Sequence, residues 1–105
     1  ANAPFDPRVI PESYLQLREM PTFPFGAQYT KTKQVLNTIS QRNPVVMFNN
    51  DCMITIGNNI LQTFDRMEVA EYSAKATIAA QAFGGMTPIN EKQVADLVKA
   101  FNLIP

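Results

Sequence analysis

No histidine occurs anywhere in these 105 residues. A Ser–His or Cys–His nucleophile pair therefore cannot be assembled. The residues left with chemical potential cluster at Asn49-Asn50-Asp51-Cys52, between the apolar runs Val45-Val46-Met47-Phe48 and Met53-Ile54-Thr55-Ile56. Asp51 offers a carboxylate in a turn, a group that binds zinc and harder divalent cations. One carboxylate is not a site, because three or four ligands must converge. Asp51 and Asn50 are equally the residues of an ordinary hairpin turn, tolerant of unusual backbone angles. Cys52 has no histidine to activate it, and a reactive thiol needs a nearby base or positive charge. It reads as a buried, inert cysteine.

Glu71 is the second anomaly. It falls at the helical spacing that joins Met67 to Ala74 and Ile78, so it interrupts an apolar stripe. A buried carboxylate needs partners or becomes neutral. Glu71 reads either as a group behind the turn or at a subunit contact, or as an edge carboxylate paired with Lys75 one turn on. Met47, Met53 and Met67 read as core rather than as a soft-metal site. Gly84-Gly85 is a helix stop and lacks the context of a phosphate-binding loop.

The elements that position these residues follow from pattern and punctuation. Residues 1–28 hold Pro4, Pro7, Pro11, Pro21 and Pro24, five of the eight prolines. Proline fixes its own φ and extends the residue before it. One helical turn fits Pro11-Glu12-Ser13-Tyr14, with Pro11 first. The rest of the opening reads as extended segment and loop that packs on something. Residues 30–41 predict a helix with Val35, Leu36 and Ile39 on its apolar face, ended by Asn43-Pro44. Val45 to Phe48 predicts a strand covered on both faces. Met53 to Ile56 returns antiparallel. Asn59 with Gln62, and Asn90 with Gln93, predict two capping boxes. The first opens a helix running to about Phe83, with Ile60, Phe64, Met67, Ala74, Ile78 and Ala82 as its stripe. The second opens a helix that buries Val94, Leu97, Val98 and Phe101.

Composition bounds the class. A chain this long makes one small domain or part of a larger one and can bury roughly 65% of its extended surface. Nine basic residues balance nine acidic ones, and the basic ones are scattered along the chain. No charge excess favours nucleic acid or an anionic membrane. No apolar run approaches a membrane span, and no signal-peptide pattern appears. The lone Cys52 excludes an internal disulfide, which fits a reducing cytoplasm. Ala1-Asn2-Ala3 opens without methionine, as in a processed start or a piece of a longer chain.

The order of strand, turn, strand, Gly57 and long helix resembles the C-terminal part of the class II aldolase/adducin family. Phe5-Asp6-Pro7-Arg8-Val9-Ile10-Pro11-Glu12-Ser13 looks like a segment of one bacterial branch. Pro24-Phe25-Gly26 followed by a helix is similar to the segment before that family's last strands. Phe64-Asp65-Arg66-Met67-Glu68-Val69-Ala70-Glu71 with Ala74 looks like its long helix. The resemblance implies a three-layer α/β/α sandwich around a largely antiparallel sheet, commonly in a ring-shaped tetramer. It implies retro-aldol cleavage or epimerisation of a sugar phosphate through a zinc-stabilised enediolate. The family's turn usually carries a zinc-binding His-Gly, and Asp51 stands in the histidine's place here. The family's His-x-His pair, catalytic acid and phosphate loop belong to an N-terminal half that this chain lacks. The expectation is residues 1–105 as one domain, a lyase or epimerase part inactive alone. Its partner would be the N-terminal half or further copies of itself. A divalent metal such as zinc would enter only with that half. The competing expectations are a non-catalytic, adducin-like assembly module and an unrelated small helical binding domain.

Overall fold

The computed structural model describes residues 5–105; Pro4, counted above among the opening prolines, lies outside them. A single 3-10 turn, Pro7–Val9, leads into α1 (Pro11–Leu17), β1 (Thr22–Phe23), α2 (Ala27–Thr30) and α3 (Thr32–Thr38). There follow β2 (Val45–Phe48), β3 (Met53–Thr55), α4 (Ile60–Ala80), a 3-10 turn at Gln81–Phe83, and α5 (Glu91–Ala100). The molecule is mixed α/β.

The sheet is three-stranded in the order β1-β2-β3. β1 pairs parallel with β2, and β2 pairs antiparallel with β3. The expected largely antiparallel sheet is therefore corrected to a mixed one. The difference is β1, two residues between Pro21 and Pro24, too short to show alternation. A parallel pair requires a crossover, and α2 with α3 supplies it.

β2 is the centre of the core, and its alternation puts successive side chains on opposite faces. Val46 and Phe48 join Phe23, Ala27 and Val35, with Ile39 against them. The Phe23 and Phe48 rings stack at 5.6 Å. On the other face Val45 joins Leu17, Met20 and Ala70, with Phe5, Met47, Met53 and Val69 around them. Helices thus cover both faces, as the continuous apolar run requires.

The opening is only partly loop: the expected turn extends into α1, the extended segment pairs as β1, and the described part packs on the rest of the chain as expected. Ser13, Tyr14, Leu17, Met20, Phe23 and Ala27 are all buried. The prolines start and separate short elements here rather than preventing them, with Pro11 in the first turn of α1.

α4 begins at Asn59, whose side chain accepts from the Gln62 backbone N–H at 2.8 Å. The reciprocal bond is displaced by one residue: Gln62 accepts from the Asn58 N–H at 2.6 Å rather than from Asn59. The box before α5 is complete between Asn90 and Gln93. Gly84, at φ 93°, ends the second 3-10 turn in the left-handed region.

The face α4 buries is the main departure from expectation. It packs Ala70 and Ser73 inward, the two buried residues of the helix. Ser73 and Ser13 form a buried hydrogen bond across α1 and α4, and the Ser73 hydroxyl also donates to the Val69 carbonyl at 2.7 Å. Small residues let the two helices approach closely. The larger apolar stripe lies to one side and is open: Ile60 is 89% exposed, Phe64 58% and Ile78 72%. Met67 and Ala82 are exposed as well, and only Ala74 is half-buried. Leu36 and Phe101 also face outward, against expectation.

Candidate functional site

The hairpin between β2 and β3 presents the Asp51 turn. Asp51 N–H donates to the Phe48 carbonyl at 3.2 Å, and Phe48 N–H to the Cys52 carbonyl at 2.8 Å. Asn50 takes φ 59°, a left-handed conformation that asparagine tolerates better than most residues. Asp51 is exposed. Its Oδ2 accepts from Gln28 Nε2 at 2.5 Å, which ties the turn to α2. The other Gln28 side-chain atom, Oε1, is buried without a hydrogen-bond partner.

Cys52 is exposed rather than buried. Desolvation, then the neighbouring Asp51 charge and a hydrogen bond to it, hold the thiol above its ordinary value. A raised thiol is a poor nucleophile at neutral pH. Partial desolvation and then the adjoining carboxylate, rather than burial in the core, disfavour its thiolate.

Glu71 is exposed, and its carboxylate pairs with Lys75 one turn on at 3.2 Å. It borders an apolar depression of about 230 Å³ lined by Phe5, Met20, Met47, Met53 and Met67 among others. Met47 and Met53 pack against the core, as expected, while Met67 is exposed at the rim of the same hollow. Asp51 lines no part of that hollow, so the structure does not bring Asp51 and Glu71 to one place. Among the described residues no group of three His, Cys, Asp or Glu side chains is arranged to hold a metal ion. Asp51 with Cys52 beside it does not make a zinc site, which needs further ligands.

Two arginines escaped notice in the sequence and organise the molecule. Arg66, on α4, donates from Nη1 to the Ile56 carbonyl at 2.6 Å and from Nε to the Gln16 carbonyl at 3.2 Å. It joins the end of α1 to the segment after β3. Burial holds its guanidinium below the ordinary arginine value, though arginine stays charged at neutral pH. Arg8 ties the opening to α5 through Glu19 and Glu91, each at 2.6 Å. The backbone adds the Ile89 N–H donating to the Arg8 carbonyl.

Gly57 sits where the chain passes under the start of α4. A Cβ there would lie 2.6 Å from Thr63 Oγ1 and 3.0 Å from the Thr63 backbone nitrogen. Among the described residues no helix is long and apolar enough to cross a membrane. No protein-family model, curated protein or solved structure shows significant similarity to this chain.

Proposed function

We propose that this chain is the C-terminal part of a class II aldolase/adducin-like unit and works by associating, through the open face of α4, with a complementary half or with further copies of itself. The observation that carries the reading is the stripe of Ile60, Phe64, Met67 and Ile78, exposed along a helix of 21 residues. A second observation supports it. Phe83, just beyond α4, is 91% exposed and Leu61 68%. Monomers seldom leave large contiguous apolar patches open.

The family reading rests on element order. A strand, the Asn49–Cys52 turn, a return strand, Gly57 and a long helix follow one another, with helices on both sides of the sheet. In this reading the finer architecture is the family's α/β/α sandwich, completed by strands from another chain or segment. Sugar-phosphate lyase or epimerase chemistry would then belong to the assembled unit. Asp51 would contribute one oxygen ligand toward a divalent metal such as zinc, and Glu71 would stand at the contact. A cytoplasmic location fits the single cysteine.

The adducin-like reading, in which assembly is the whole function, draws on the same open α4 stripe and gives Asp51 a structural part, tying the turn to α2 through Gln28. Assays of the isolated chain with zinc and a panel of sugar phosphates bear on both readings. The expected result is no turnover, because a zinc enolate mechanism needs several converging ligands. Zinc-dependent turnover by the chain alone would overturn the incomplete-unit reading.

A further inference from the structure

The open side of α4 has an internal order. Ile60, Phe64, Met67, Glu71, Ala74 and Ile78 follow one another by alternating steps of four and three residues. That alternation is the seam of a helix pair, in which side chains of one helix enter the gaps of the other. The helix is 21 residues long, enough for three seven-residue repeats. Leu61, Glu68 and Lys75 stand along one flank of the seam, at the positions that meet a partner's side chains and set its orientation. All three are exposed.

Glu71 is the misfit in this seam, and it selects an orientation. Two such helices packed in parallel would set Glu71 against its own copy, a like-charge contact at the interface. Their flanks would bring Thr63 and Ala70 to Glu68 and Lys75, with no opposite charge. Packed antiparallel, the seam registers with Glu71 opposite the partner's Ala74 and Met67 opposite the partner's Ile78. The small Ala74 leaves room for the Glu71 stem, and its carboxylate then lies beside the partner's Lys75. Glu68 meets the same lysine across the flank. Glu68 forms no ion pair of its own among the described residues. Lys75 holds Glu71 of its own chain at 3.2 Å, with the two side chains 74% and 69% exposed, so it is open to a second carboxylate. At each end Phe83, 91% exposed, falls at the level of the partner's Ile60 and Leu61.

We propose that α4 pairs antiparallel with α4 of a second copy of this chain, about a two-fold axis near Tyr72 and Ser73. The apolar seam supplies the contact, and two reciprocal Glu68–Lys75 pairs set its direction. The proposal rests on the reading of α4 as an interface and names its occupant. A two-fold axis repeats every contact, so one sequence must supply both charges of each pair. This helix does so: its carboxylates lie before the axis and its lysine after it. Ile78 of each chain then closes on Met67 of the other, at the rim of the apolar depression.

The test is disulfide trapping in a Cys52→Ser background, which removes the only native thiol. One chain carries Glu68→Cys and the other Lys75→Cys. Both positions are exposed, and one Glu68–Lys75 pair survives in the mixed dimer. On mild oxidation of the mixture, the expected product is a disulfide joining position 68 of one chain to position 75 of the other. Either variant alone should give little dimer. In parallel, Lys75→Glu should weaken self-association about tenfold, since it turns attraction into repulsion at both pairs. Adding Glu68→Lys and Glu71→Lys to that variant should restore it, with the fold of each variant checked by its amide spectrum. Disulfides within each variant alone and none in the mixture would overturn the antiparallel pairing and leave α4 as an interface. So would an oligomer that Phe64→Glu with Ile78→Glu dissociates but that gives no mixed disulfide. Failure of the full charge exchange to restore association would overturn the Glu68–Lys75 contact. A chain that stays monomeric throughout would overturn the pairing and the interface together.

Discussion

Arg66 and Cys52 are set by their immediate surroundings, and each can be tested singly. The Arg66 guanidinium donates to two carbonyls that belong to different parts of the chain. Replacing it by methionine keeps much of the stem and leaves the Ile56 and Gln16 carbonyls without that donor. The expected loss is about 2 kcal/mol in urea denaturation. An unchanged midpoint and slope would show that water replaces the guanidinium at no cost. At the turn, desolvation and the Asp51 charge hold the Cys52 thiol above its ordinary value. Removing that charge with Asp51→Asn lowers the thiol toward its ordinary value. Iodoacetamide should then alkylate Cys52 faster at pH 8, because the thiolate is the reacting form. Equal rates would remove Asp51 from the account. Gly57 gives a third handle: Gly57→Ala places a carbon against Thr63 and should destabilise by about 1–3 kcal/mol.

At the scale of the elements, local punctuation and face assignment behave differently. Asn59→Ala removes the side-chain acceptor for the Gln62 N–H and should cost about 1 kcal/mol. A neutral effect would count against the cap. Leu17→Ala tests whether the proline-rich opening carries core. Leu17 is fully buried on the α1–α4 side of the sheet, so the loss should be about 3 kcal/mol. The caps, the helix stop near Gly84 and the doubly covered Val45–Phe48 strand were legible because each is written in a few adjacent residues. β1 was not legible, since two residues between prolines carry no periodicity. The length of α4 was legible, but not its inward face. Periodicity shows that Ile60, Phe64, Met67 and Ile78 share a side, not what covers that side. Ala70 and Ser73 won the interior because α1 needs small neighbours where Ser13 meets Ser73. At the turn, the sequence offered Asp51 as a lone carboxylate, but not its tie to Gln28.

At the scale of the whole molecule, an exposed apolar stripe coexists with well-formed cores on both sides of a small sheet. The radius of gyration is 14.0 Å, against about 13 Å for a compact chain of this length. The open face of α4 is the proposed interface. Phe64→Glu with Ile78→Glu separates folding from association, because both side chains are already exposed. The double variant should unfold within about 1 kcal/mol of wild type. Sedimentation equilibrium at micromolar concentration is the most direct measurement. The wild-type chain should sediment as an oligomer and the double variant at the 11.7 kDa of one chain. A wild-type chain that is folded, compact and monomeric under those conditions would contradict the proposed interface.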